Sequence, residues 1–105
     1  MLAGSGAIAL ALALSPASAQ KKYDDGATDT EIKIGHTNPY SGNASAYGTI
    51  GKAIDAFFKK VNDEGGINGR KINFISYDDG YSPPKTVEQT RRLVEQEGVA
   101  FIFGS

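Results

Sequence analysis

The sequence predicts an α/β fold built on a parallel sheet, in the order strand, helix, strand, helix, strand. Three observations predict it. Two polar-apolar stretches, Glu31-Ile32-Lys33-Ile34-Gly35 and Lys71-Ile72-Asn73-Phe74-Ile75-Ser76-Tyr77, have the alternation of strands. Each is followed by an apolar stripe at helical spacing. The chain then closes on the apolar run Val99-Ala100-Phe101-Ile102-Phe103, bounded by Gly98 and Gly104. Such a run reads as a parallel strand buried on both faces. Strands alternating with helices of this length give a parallel sheet with right-handed crossovers.

The elements follow in order. Ala7 to Leu14 is apolar and too short to cross a bilayer, which takes about 20 residues. Pro16 breaks it, Ala17-Ser18-Ala19 supplies small residues for cleavage, and Gln20-Lys21-Lys22 turns polar. Residues 1–19 therefore read as a secretory signal peptide, although residues 1–6 carry no Lys or Arg. Residues 20–30 are polar and charged and read as a flexible leader. Residues 31–105 form the folded part.

After the first strand, Thr37 to Ala44 is loop chemistry throughout. A helix is expected from about Ser45 to Asp63, with Ile50, Ala53, Ile54, Phe57, Phe58 and Val61 as its inward stripe. Glu64-Gly65-Gly66 ends it, because glycine takes the left-handed capping conformation. Ile67-Asn68-Gly69-Arg70 is a tight connection to the second strand. Asp78 to Ser82 is the next loop. Ser82 can cap the second helix and Pro83 can occupy its first position. That helix is expected to reach Gln96, with Val87, Thr90, Leu93 and Val94 inward. A last strand buried on both faces needs neighbours and covering helices that two strand-helix units do not supply. The chain is thus expected to be the front of a larger protein.

Composition excludes several functions. The 105 residues contain no cysteine, which rules out disulfides, thiolate metal sites and thiol nucleophiles in these residues. No lipid-bearing Cys follows the cleavage site, so a soluble exported protein is expected rather than a lipoprotein. A net charge of -1 offers no basic footprint for nucleic acid.

In an open parallel sheet, ligands bind outside the carboxyl ends of the strands. The loop from Gly35 to Ala46 leads into a helix N-terminus, which suits a carboxylate or phosphate. It contains no G-x-G-x-x-G. Gly51-Lys52 is not a phosphate-binding loop either, because Ala46 and Ala53 stand where Gly and Ser or Thr belong. Tyr40, Ser41 and Tyr47 are the candidates for touching an organic ligand, since a tyrosine offers an apolar face and a hydroxyl. Packing of Tyr47 on the sheet edge is the alternative. Asp78-Asp79 reads as a loop cap rather than a cation or phosphoryl site, because adjacent strand residues point to opposite faces. His36 is the single histidine; with no second ligand and no nucleophile beside it, it reads as a loop or sheet-edge residue. Glu88, Arg91, Arg92 and Glu95 form a solvated helix face. No metal, cofactor or catalytic residue is indicated.

Ile32-Lys33-Ile34-Gly35, Ser41-Gly42 and Ala46-Tyr47-Gly48 resemble the opening of the branched-chain amino acid (Leu/Ile/Val) binding proteins. So do Asp63-Glu64-Gly65-Gly66-Ile67-Asn68-Gly69-Arg70-Lys71-Ile72 and Tyr77-Asp78-Asp79 followed by Pro83. The resemblance runs from about Glu31 to Ser105. It implies a type I periplasmic binding protein, with two α/β lobes closing on a small ligand, of which this chain holds the first strands of the amino-terminal lobe. It further implies a periplasmic, non-enzymatic receptor of an ABC importer. Such a receptor takes a small amino acid or a related carboxylate or amide, and is monomeric when complete. Its partners would be membrane permease and ATPase subunits. Tyr47 would line the pocket, and Ser105 would stand at the entrance of the loop holding the ligand's charged groups. Relatives often have a Cys where Gly80-Tyr81-Ser82 stands here, and Asn38-Pro39-Tyr40 is bulkier than their usual first loop. An extracytoplasmic sensor domain and an exported α/β enzyme are the alternative readings.

Overall fold

The computed structural model describes residues 22–105; the expected signal peptide lies outside them. Strand β1 is Glu31–Asn38, helix α1 Gly48–Asp63, strand β2 Lys71–Asp78, helix α2 Pro83–Glu95 and strand β3 Phe101–Ile102. A 3-10 turn, Ser45–Tyr47, leads into α1. The three strands form one sheet in the order β2-β1-β3. Both pairings are parallel: Glu31 to Asn38 run beside Lys71 to Asp78, and Ile34 and Gly35 run beside Phe101 and Ile102.

The two helices lie on opposite faces because successive strand residues alternate. On one face, Phe58 of α1 meets Phe74 of β2 edge-on at 5.3 Å and Phe103 at 6.1 Å, and His36 meets Phe74 at 5.2 Å. On the other, Leu93 of α2 is fully buried over Gly35. A Cβ at Gly35 would lie 2.9 Å from Ile102, 3.1 Å from Val99 and 3.3 Å from Leu93, so the absent side chain lets α2 approach the sheet. Among the described residues, Ile34, Ile72, Leu93 and Val99 are the buried large apolar residues, and burying one such leucine contributes about 1.5–3 kcal/mol.

Local chemistry sets the connections. Gly66 N–H donates to the Val61 carbonyl and Gly65 N–H to that of Asn62, which closes α1 with a six-to-one and a five-to-two bond. Asn68 and Gly69 both have positive φ, 51° and 79°, and Ile67 and Arg70 exchange backbone hydrogen bonds across them. This is the two-residue turn that an Asn-Gly pair favours. The Asn62 side chain then copies a strand, donating to the Ile72 carbonyl and accepting from its N–H, which ties the end of α1 to β2.

Three expectations are corrected. The closing strand is shorter than the expected Val99 to Phe103: among the described residues β3 has two residues, pairs with β1 alone, and leaves Phe101 and Phe103 half exposed. As the sheet's outer strand among the described residues, it has cover on one side only. In α1, Ile50, Ala53 and Phe57 are exposed while Ile54, Phe58 and Val61 are half-buried. The contact line is rotated toward the buried glycines, Gly48 and Gly51, which lie against Asn38, Pro39 and Tyr40. In α2, Val87 and Val94 are exposed and the inward line runs through Thr90 and Leu93.

Arg70 stacks over the Tyr23 ring and donates to the Thr28 carbonyl and the Tyr23 hydroxyl. Gly26 accepts from Lys33 N–H, with its Cα against the backbone of Ala100. These bonds hold residues 23–30 along the amino ends of the strands.

Candidate functional site

The loops at the carboxyl ends of the strands are built around buried polar residues. His36, Thr37, Asn38 and Asp79 are all nearly inaccessible, and buried polar groups of this kind are held by hydrogen bonds. Asn38 Oδ1 accepts from Gly51 N–H at 2.9 Å, docking the first turn of α1 on the end of β1. A Cβ on Gly51 would meet the Tyr40 hydroxyl at 2.0 Å and Asn38 Oδ1 at 2.7 Å. Tyr40 thus lies flat against the helix, and only glycine lets it.

Asp78 clamps the first loop. Its Oδ1 accepts from the N–H groups of Tyr40, Ser41 and Gly80, and its Oδ2 accepts the Ser41 hydroxyl. The Ser41 hydroxyl and then the Gly80 N–H hold the carboxyl down to about 2, with the Tyr40 and Ser41 N–H groups adding to the effect and outweighing desolvation. Asp79 turns the other way. It accepts Tyr81 N–H at 2.8 Å and the Thr86 hydroxyl at 3.0 Å, and so holds the start of α2. Ser82 occupies the N-cap position but makes no side-chain cap bond; Asp79 supplies a carboxylate there instead. The two acids diverge into separate structural roles. Among the described residues, no group of three or more His, Cys, Asp or Glu is placed to hold a metal ion.

Behind the first loop runs a buried hydrogen-bond chain. The Tyr40 hydroxyl lies 2.5 Å from Ser76 Oγ, and Ser76 Oγ lies 2.7 Å from His36 Nδ1. His36 is fully buried under α1, and its Nε2 makes no completed hydrogen bond. Burial lowers its pKa from the usual 6.5, opposed by the Gly104 backbone and the negative charge of Asp79. The expected sheet-edge or loop position is corrected accordingly: His36 sits on the central strand, in the core.

An open cleft of about 570 Å³ lies beside the ends of β1 and β2 and the start of α2, lined by Thr37, Asp79, Tyr81, Pro83, Thr86, Val87 and Ser105. The chain leaves β1 for β2 on one side and reaches β3 on the other, so the β1–β3 boundary is a topological switch point, the usual place for a ligand. Ser105 closes that boundary, with its Oγ accepting Thr37 N–H at 2.9 Å.

Of the expected site residues, Ser105 lines this cleft. Ser41 is exposed and bonded to Asp78. Tyr47 is 60 % exposed, at the entry to α1, rather than packed on the sheet edge. Tyr40 lines a separate pocket of about 260 Å³ with Gly51, Lys52, Asp55, Phe74 and Ser76. The cleft thus gathers one of the four. Sequence reasoning missed Thr37, Thr86 and Tyr81 as cleft residues. Tyr81 is the most telling: a non-glycine residue at φ 58°, with its ring 73 % exposed at the cleft. Its signal was position alone, in a turn directly after a strand end.

The family described as periplasmic binding protein matches residues 31–105. The chain belongs to that family. It is 36% identical over 80 residues to the Leu/Ile/Val-binding protein homolog 1 of Brucella abortus, covering 75% of this chain and 21% of that protein. It is similar to the crystal structure of the branched-chain amino acid transporter substrate binding protein of Streptococcus pneumoniae in complex with isoleucine. There the TM-score is 0.68 and the identity 31%, over 72% of this chain and 22% of that one. The fatty acid ABC transporter substrate-binding protein of Thermomonospora curvata superposes with a TM-score of 0.65 at 30% identity, over 80% of this chain and 22% of that one. The chain therefore spans about a fifth of the length of the relatives it matches. Its parallel α/β sheet corresponds to part of one lobe of a type I periplasmic binding protein. The family binds solutes for ABC transporters.

Proposed function

We propose that residues 31–105 are part of the amino-terminal lobe of a periplasmic receptor that delivers a small amino acid, or a related carboxylate or amide, to an ABC importer. The observation that carries this reading is the cleft at the β1–β3 switch point, lined by Ser105 and Thr37 together with Tyr81 and Val87. The hydroxyl side chains of Thr37, Thr86 and Ser105 suit a polar group, and Tyr81 and Val87 suit a hydrocarbon side chain. Tyr47 and Ser41, on the neighbouring loop, contribute from the rim; Tyr40 contributes by shaping that loop. A second lobe closes over the solute, and the closed form is what the permease and ATPase subunits read. The receptor works as a monomer, is exported by a cleaved signal peptide at residues 1–19, and catalyses no reaction. The solutes named for the relatives include isoleucine and a fatty acid, so the ligand belongs to the amino acids or to the aliphatic and aromatic carboxylates and amides.

A thermal-shift panel on the full-length receptor tests this. Aliphatic amino acids, their amides, medium-chain fatty acids and aromatic acids are each added at increasing concentration. One class is expected to raise the melting temperature in a concentration-dependent way. No shift from any class, or consumption of a compound on incubation, would overturn the reading.

A further inference from the structure

The chain from Tyr40 through Ser76 to His36 runs from the loop after β1 toward the loop after β3. Tyr40 stands in the loop after β1, which carries Ser41 and Tyr47. At the other end, His36 Nε2 faces Gly104, in the loop after β3 that carries Ser105; a Cβ on Gly104 would lie 3.9 Å from that nitrogen. Ser76 has one proton to give and two neighbours, at 2.5 and 2.7 Å. If Tyr40 donates to Ser76 and Ser76 donates to Nδ1, the proton of the neutral ring sits on Nε2. Nε2 is the ring nitrogen on the Gly104 side, and a backbone carbonyl there would accept its proton. The opposite direction would set a bare nitrogen lone pair against that acceptor. The buried ring is thus left with one unmatched donor, aimed at the loop that holds Ser105.

We propose that His36 is a positioning residue that ties the loop after β1 to the loop after β3, donating from Nε2 to the Gly104 backbone when ligand is bound. Completing this bond draws Gly104 toward β1 and with it Ser105, whose hydroxyl already holds Thr37 N–H. Gly104 has φ 69°, a conformation that glycine adopts without strain, and a Cβ there would lie 3.6 Å from Ile54. Phe74 and Ser76 of β2 lie against the ring. Burial favours its neutral form, and the Asp79 carboxylate opposes this. Lys52 and Asp55 lie on the Tyr40 side, in the 260 Å³ pocket. The ligand role of this device rests on the receptor reading above.

Two measurements on the full-length receptor test it. The first needs no ligand: heteronuclear NMR of the ring, assigned by the signal lost in His36→Gln. A neutral Nε2–H tautomer is expected, and an Nδ1–H tautomer or a charged ring at pH 7 would overturn the proposal. The second is calorimetry with whichever probe of the panel binds wild type most tightly. His36→Phe keeps a planar ring without a donor, and is expected to weaken binding about tenfold, the effect of one lost hydrogen bond. His36→Gln keeps an N–H donor and is expected to restore most of the affinity. Wild-type affinity in His36→Phe would overturn the proposal. Should His36→Phe fail to fold, Ser76→Ala cuts the same chain at its middle and the same loss is expected. If wild type binds no probe, the receptor reading fails, while the tautomer still decides the direction of the chain.

Discussion

Gly51 offers the sharpest test of how the first loop is built. Replacing it with alanine adds one methyl group, placed 2.0 Å from the Tyr40 hydroxyl, 2.8 Å from Tyr40 Cζ and 2.7 Å from Asn38 Oδ1. Tyr40 cannot simply swing away, because its hydroxyl is bonded to Ser76 and its N–H to Asp78. Asn38 cannot withdraw without releasing the Gly51 N–H. Overpacking of this kind costs about 1–3 kcal/mol. The hydrogen bonds at Tyr40 and Asn38 add about 1 kcal/mol each if both are lost. Against this, alanine in a helix interior is favoured over glycine by about 1 kcal/mol. The sum is a net destabilisation of about 2–4 kcal/mol. Urea unfolding of the full-length receptor, followed by circular dichroism, measures it. Removing the obstacle checks the cause: in a Tyr40→Ala background the penalty of Gly51→Ala is expected to shrink by at least about 1 kcal/mol, since the two residues are in contact. A Gly51→Ala protein as stable as wild type, or an undiminished penalty beside Tyr40→Ala, would refute the reasoning.

Three further outcomes are expected. Leu93→Ala truncates a fully buried leucine and costs about 2–5 kcal/mol in the same urea assay; a loss below about 1 kcal/mol would mean that the α2 interface is not packed as described. Asp78 titrates low in the folded state, near 2, so its stabilising effect is full above its ordinary 3.8 and is lost as pH falls from there through about 2. Asp78→Asn is expected to remove that part of the acid-unfolding curve, and an unchanged curve would count against the clamp. Tyr47 is largely exposed, so Tyr47→Ala is expected to leave stability within about 0.5 kcal/mol of wild type while weakening solute binding about tenfold or more in calorimetry. Unchanged affinity would remove Tyr47 from the site.

The architecture was legible because local signals agreed with one another. Alternation marked β1 and β2, Gly65-Gly66 marked the end of α1, and Asn68-Gly69 marked the turn into β2. The inward stripes were read less well. Periodicity sees every apolar residue on a helix face but not which part of that face touches. Thus Ile50, Phe57, Val87 and Val94 were grouped with Ile54, Phe58 and Leu93 although they are exposed. The glycines that set the contact line, Gly35, Gly48 and Gly51, carry no side chain for a periodic pattern to count. Asp78 and Asp79 were readable as loop-holding acids because strand alternation alone separates them. His36 was not readable as a core residue, since its partner Ser76 lies forty positions away and only the pairing of β1 with β2 brings them together. Arg70 and Tyr23 were missed for the same reason: their contact depends on a sheet edge formed elsewhere.

The most direct test of the receptor claim is a calorimetric titration of the full-length protein with its best solute, followed by chromatographic recovery of that solute. Saturable binding of one molecule per chain, with the solute recovered chemically unchanged, is the result expected of a periplasmic receptor. Absence of saturable heat across amino acids, amides and carboxylates, or recovery of a converted product, would contradict it.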